Sequence, residues 1–131
     1  MSVTFSVREL RRMEWGGEQR DVWCVVKGAA EGVNFANGNA RLVLETLGIE
    51  SEELCGQARP ADLLARIGRA RAGLAQQPAE FERPLRESGG PGTGQCRMVT
   101  PGLTADQILE HLARLESLAR ACRPGQAVGW A

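Results

Sequence analysis

The segment from Val33 to Ile49 carries the signals for both ends of one helix. Side-chain oxygens of three asparagines near its start can accept hydrogen bonds from the unpaired N–H groups of a beginning helix. These are Asn34, Asn37 and Asn39. Four apolar residues then recur at helical spacing, namely Ala40, Val43, Leu44 and Leu47. Gly48 can close the helix in a left-handed conformation while Ile49 folds back on Leu44, which is a Schellman ending. The segment predicts a helix near 36–47 with asparagine caps.

Two further helices are predicted near 60–76 and 104–123. Pro60 suits the first position of the former, whose buried stripe is formed by Leu63, Leu64, Ile67, Ala70 and Leu74. The latter opens with Thr104 and Gln107 as a capping box. Its stripe consists of Ile108, Leu112, Leu115, Ala119 and Cys122, widened by Leu109 and Leu118. The segment from Ser51 to Gly56 predicts one more helical turn.

Strands are predicted at both ends of the chain. Residues 3–8 alternate between apolar and polar, residues 21–26 are β-branched and aromatic, and residues 127–130 can return beside the first strand. Residues 9–20 are charged and irregular around a turn at Gly16–Gly17, and 96–99 suit a short strand. The expected fold is therefore α+β: three main helices packed on a small, mostly antiparallel sheet built from both termini. We expect one domain over 1–131.

Net charge, the length of apolar runs and the spacing of cysteines limit the class of protein that the sequence suits. The formal net charge is +0, which favours neither a nucleic-acid nor a membrane partner for the molecule as a whole. No apolar run has the length of a signal peptide or a membrane span, so the expected location is the cytoplasm. The cysteines stand far apart, at Cys24, Cys55, Cys96 and Cys122, and are expected to be small buried hydrophobes. We expect no metal and no cofactor.

Three parts of the sequence resemble a group of small hypothetical bacterial proteins with no assigned activity. They are V-T-F-S-V-R-E at 3–9, N-F-A-N-G-N-A at 34–40 leading to Leu47-Gly48-Ile49, and Val128-Gly129-Trp130 at the end. The similarity covers most of the chain, but it is loose at 8–33 and 76–103. It implies a stand-alone bacterial protein, and it transfers no site residue.

The glycine-rich segment 89–96 matches the spacing of a phosphate-binding loop. However, Gln95 replaces the lysine of that motif and Cys96 replaces its hydroxyl residue. Pro101-Gly102 follows where a helix is required. The whole segment from Pro78 to Gly94 is therefore predicted to be a mobile loop, not a nucleotide site.

Catalytic chemistry has few candidates. His111 with a cysteine would make a nucleophilic pair, but Cys122 lies on the same helix about 16 Å away. No sequence feature brings another cysteine to His111. An enzyme that uses His111 or a cysteine is retained as an alternative function, without a catalytic residue being assigned.

Two surface features suggest binding. Arginines cluster at Arg59, Arg66, Arg69 and Arg71, where a phosphate or nucleic acid could bind. Trp15 and Trp130 are the candidate interface residues. Trp15 stands in a polar segment, so we expect its ring either at the centre of an interface or folded over the core as a lid. Our main expectation is a non-catalytic protein-interaction module, with a protein partner or as a homodimer. Phosphate or nucleic-acid binding is the alternative.

Overall fold

The computed structural model describes residues 2–78, 86–88, 98–100 and 103–131. The elements in chain order are β1 (Ser2–Trp15), β2 (Glu18–Val25), β3 (Val33–Ala36), α1 (Asn37–Thr46), β4 (Gly56–Ala58), α2 (Pro60–Gln76), β5 (Arg86–Ser88), β6 (Met98–Thr100), α3 (Ala105–Arg120) and β7 (Gln126–Trp130).

The main sheet has five strands, all paired antiparallel, in the order β2-β1-β7-β4 with β3 also paired to β1. The first and last strands are neighbours, with Phe5 opposite Trp130 and Glu9 opposite Gln126. β5 and β6 form a separate two-stranded sheet. The predicted α+β fold, with three helices and a sheet built from both termini, is confirmed.

The core lies between the sheet and the helices, and aromatic rings fill the sheet side of it. Phe5 is 1% exposed, and its ring centroid is 5.6 Å from those of both Phe35 and Trp130. The helices contribute the stripes that the sequence predicts, including Val43 and Leu44 from α1, Leu63 and Ile67 from α2, and Ile108, Leu112 and Leu115 from α3. Leu109, predicted to widen the α3 stripe, is instead 36% exposed.

The two ends of α1 differ in how well they were predicted. The C-terminal Schellman motif is confirmed: Gly48 has a φ of 71°, and the Ile49 N–H donates to the Leu44 carbonyl at 2.9 Å. The asparagine cap is wrong, because the N-cap residue is Ala36 and makes no side-chain hydrogen bond. Asn34 lies in β3 instead, and its Nδ2 donates to Thr4 Oγ1 at 2.8 Å, on the neighbouring strand.

Other boundaries also differ from the prediction. α2 begins at Pro60 and Thr104 caps α3 with Gln107, both as predicted, but α3 ends at Arg120 and not near 123. Residues 51–56 form no helical turn; Gly56 begins β4, where the Trp130 indole ring lies over it. Residues 9–20 are not irregular, since they belong almost entirely to β1 and β2.

Part of the predicted mobile loop at 78–94 forms β5, and β6 overlaps the strand predicted at 96–99. Residues 79–85 of that loop and the glycine-rich segment 89–96, including Cys96, lie outside the described residues. Among the helices of the described ranges, none combines the length and the apolar character that a bilayer crossing requires.

Candidate functional site

A two-stranded arm extends beyond the rest of the sheet. It comprises residues 10–23, the distal part of the β1–β2 hairpin, and we call it the hairpin arm. Pairing of β1 with β7 ends at Glu9, and pairing of β1 with β3 covers only Ser2 to Phe5. Pairing with β2 continues to Trp15 opposite Glu18. At about 3.3 Å per residue, the six residues from Leu10 to Trp15 make an arm about 20 Å long.

The turn at the tip explains why this stretch forms a hairpin. Gly16 and Gly17 have φ values of 58° and 84°. Two-residue hairpin turns favour positive φ because such turns match the right-handed twist of the strands, and glycine adopts it without strain. The Gly-Gly pair therefore sets the register in which Trp15 and Glu18 face each other.

The hairpin arm exposes large apolar side chains. Trp15 is 68% exposed, Leu10 49% and Met13 43%. Side chains alternate between the two faces of a strand, so Met13 and Trp15 share one face while Leu10 lies on the other. An exposed indole at the tip of an arm is costly in water and is the kind of side chain that anchors interfaces.

Trp15 and Trp130 have opposite environments. The exposure of Trp15 shows that the hypothesis of a lid over the core is wrong. Trp130 is 4% exposed and packs against Phe5, so its ring belongs to the core, and its interface role stays a prediction that this burial does not favour. Of the two candidate interface tryptophans, only Trp15 has a largely exposed ring.

The backbone of the hairpin arm is also available on one side of β1. The Thr4 N–H and carbonyl both bond to Ala131, at 2.9 and 3.2 Å. The backbone N–H and carbonyl groups of even-numbered β1 residues therefore point toward β7. The Val7 carbonyl accepts from the Val26 N–H at 3.0 Å, so the backbone groups of odd-numbered β1 residues point toward β2. By this alternation, the side of β1 that pairs with β7 up to Glu9 continues as an open edge. It presents the N–H and carbonyl groups of Leu10, Arg12 and Glu14. Such an open edge is a template for another strand.

A groove of about 900 Å³ lies at the base of the hairpin arm. It is bounded by Leu10 and Trp23, which face each other across the two strands, and by the start of α2 and the turn before β7. Pro60, Ala61 and Cys122 are among its lining residues. The groove adds apolar surface to the face opposite Met13 and Trp15.

The predicted arginine cluster does not converge on a common site. Arg66 is already bound: its Nε lies 3.0 Å from Asp62 Oδ2, and its guanidinium donates to the Leu47 and Gly48 carbonyls at the end of α1. Arg71 on α2 pairs with Glu116 on α3. These two arginines hold helices together, because a guanidinium satisfies carbonyls and carboxylates with several donors at once.

The surroundings of Arg59 disfavour a phosphate. Arg59 and Arg66 line a depression of about 690 Å³ whose other lining residues include four carboxylates, Glu50, Glu52, Glu53 and Asp62. A phosphate there would meet more negative than positive charge. Arg69 lies at a separate shallow site with Arg66 and the end of α1. Phosphate or nucleic-acid binding through these arginines stays a prediction that the geometry does not favour.

His111 is placed for packing. Its ring lies edge-on to Phe35 at 4.7 Å between centroids, and neither ring nitrogen has a hydrogen-bond partner among the described residues. Both nitrogens are buried. Burial lowers the pKa of His111, and the neighbouring Arg114 lowers it further, against a smaller opposing effect of Glu110. The ring nitrogens of His111 therefore lie inside a helix–sheet contact and are not presented to solvent.

The pH dependence of stability should report this burial. Because the folded-state pKa of His111 lies below its unfolded value near 6.5, the unfolded chain binds the extra proton more readily. Stability should therefore fall as the pH decreases below about 6.5. His111→Phe should remove that component, so that the unfolding free energy depends less on pH between about 7 and 5. Urea denaturation of both proteins across this range tests it; an unchanged pH profile would contradict it.

The described cysteines are not paired with His111. Cys24 lies in the hairpin, Cys55 is exposed, and Cys122 donates to the Leu118 carbonyl at 3.6 Å. Burial raises the pKa of the Cys122 thiol, which disfavours the nucleophilic thiolate. Within the described residues, no group of three or more histidine, cysteine or acidic side chains is arranged to hold a metal ion.

The hairpin arm is absent from the sequence prediction, although the sequence contains one signal for it. The sequence predicts a turn at the Gly-Gly pair, but the charged residues 9–20 around it give no pattern of paired strands. A two-residue glycine turn followed by a β-branched segment is by itself a hairpin signal. Trp15, the residue that marks the arm, was singled out.

No protein-family model, curated protein or solved structure matches the chain, so its function is inferred from the geometry of the hairpin arm and its surroundings.

Proposed function

We propose that this chain is a non-catalytic protein-interaction module whose contact surface is the hairpin arm. The observation that carries the proposal is the 68% exposed Trp15 at the tip of an arm with an open strand edge. Apolar side chains on both faces and unpaired backbone groups along β1 supply the two contributions that strand addition uses: side-chain burial and main-chain hydrogen bonds.

The competing functions have weaker support in the described part of the chain. His111 has no exposed ring nitrogen, and two of the four clustered arginines are engaged in helix–helix contacts. The bacterial origin suggested by the sequence resemblance and the cytoplasmic location remain predictions.

A photo-crosslinking amino acid at position 15 tests the proposal. Leu109 provides a matched control position, since it is a partly exposed apolar residue on α3, away from the hairpin arm. Irradiation in native lysate should give protein crosslinks from position 15 and few from position 109. The same pattern at both positions, or no protein crosslink from position 15, would overturn the proposal.

A further inference from the structure

We infer that the occupant of the open β1 edge is a second copy of this chain, paired antiparallel through its own β1 edge with the two-fold axis at Met13. The inference rests on the proposed function, and it specifies the partner and the register. The product would be a continuous four-stranded ribbon made of two hairpin arms.

The open edge has the length that such a pair needs. It begins at Leu10, because Glu9 is opposite Gln126 of β7, and it ends at Trp15 before the turn. With the axis at Met13, residues 11–15 of one copy lie opposite residues 15–11 of the other. The tip of the second copy then reaches Leu10 and stops before β7.

This register satisfies the backbone groups. Residues 12 and 14 point their N–H and carbonyl groups toward the open edge, as the bonding of Thr4 and Val7 establishes for even and odd positions. Arg12 of each copy then lies opposite Glu14 of the other as a hydrogen-bonded pair. Met13 lies opposite itself in the closer, non-hydrogen-bonded arrangement.

The side chains are complementary in the same register. Arg12 and Glu14 have no ion-pair partner among the described residues, and the register joins them twice across the two-fold axis. Arg11 comes opposite Trp15 of the second copy, where its guanidinium can lie over the indole ring. Met13 and Trp15, both exposed in the single chain, then lie beside Met13 and Arg11 of the second copy on the same face of the ribbon.

Neighbouring registers lack this complementarity. A two-fold axis at Arg12 places that arginine opposite itself, and an axis at Glu14 places two carboxylates together; like charges directly opposite are destabilising. The outer edge of β2 is also unpaired in the sheet. There, an axis at Arg20 or Asp21 again opposes like charges, and an axis at Val22 places Asp21 opposite Trp23. An axis at Gln19 of β2 would place Glu18 opposite Arg20, but it would pair only residues 18–20 of that strand. The β1 edge centred at Met13 pairs opposite charges over the longer segment 11–15.

Charge reversal provides a direct test. Arg12→Glu alone places two acids opposite each other, and Glu14→Arg alone places two arginines together. Each should weaken self-association by about tenfold or more, since two cross-strand pairs become repulsive. An equimolar mixture of the two variants restores both opposite-charge pairs, so it should form a heterodimer while neither variant forms a homodimer. Sedimentation equilibrium over a range of concentrations measures all three.

A proline pair separates edge pairing from general damage to the hairpin arm. Arg12→Pro removes an N–H that points to the open β1 edge, and Gln19→Pro removes one that points to the outer edge of β2. The first should abolish dimerisation and the second should leave it unchanged. Circular dichroism checks that each variant keeps its strands, including Arg12→Glu, which brings an acid opposite Asp21 in its own hairpin.

The outcomes distinguish this inference from the proposed function. A wild-type chain that is monomeric at every concentration, or a variant mixture that does not associate, overturns the register centred at Met13. If crosslinks from position 15 then reach other proteins, the interaction module stands with a different partner. If position 15 crosslinks to no protein, both proposals fail.

Discussion

Phe5→Ala should destabilise the protein by about 3–5 kcal/mol, which is a large share of the 5–15 kcal/mol typical of a domain. The ring is 1% exposed and lies between Phe35 and Trp130, at 5.6 Å from each. Its removal loses the transfer free energy of the side chain and leaves a cavity that two rigid rings cannot collapse to fill. Urea denaturation followed by circular dichroism measures the loss.

Trp15→Ala is the matched control for this prediction. It removes a larger aromatic side chain from the same strand, but at a position that is 68% exposed. The change in unfolding free energy should stay within about 0.5 kcal/mol, as for other surface substitutions. If Trp15→Ala cost as much as Phe5→Ala, the indole would be part of the core and the hairpin arm would not be an open surface.

Leu112→Ala should cost about 2–5 kcal/mol. Leu112 is fully buried on α3, the helix that contacts α2, α1 and the sheet, so a cavity there loosens several elements at once. Leu109→Ala, one turn earlier on the same helix and 36% exposed, should cost well under half as much.

The comparison of these two leucines tests the orientation of α3. Both substitutions change helix propensity equally, so the difference between their unfolding free energies isolates burial. Equal losses would show that α3 buries a wider stripe than the structure has. Thermal and urea denaturation should agree on the order of the two variants.

Local chemistry predicted the helix ends that depend on residues a few positions apart. The Thr104–Gln107 capping box and the closure of α1 by Gly48 and Ile49 each join groups within five residues, and both are present. The asparagine cap predicted for α1 is absent, and one of its three asparagines bonds instead to a distant strand. Asn34 bonds to Ser2 and Thr4, which are 32 and 30 residues away in the chain.

The hairpin arm was not predicted because its strands carry no periodic hydrophobicity. Alternation appears where one face of a sheet is buried, as at Val3, Phe5 and Val7. Beyond Glu9 the side chains of β1 are exposed on both faces, so pairing with β2 and the turn at Gly16–Gly17 specify the strand instead.

The amino-acid sequence by itself determined the helical stripes, the end of α1, the cap of α3 and the α+β class, because apolar periodicity and capping act over one or two turns. Only the tertiary structure decided which tryptophan faces the core, because that depends on which side chains pack around each ring. It also decided that the pairing of β1 with β7 ends at Glu9 opposite Gln126, which leaves the edge of the hairpin arm open.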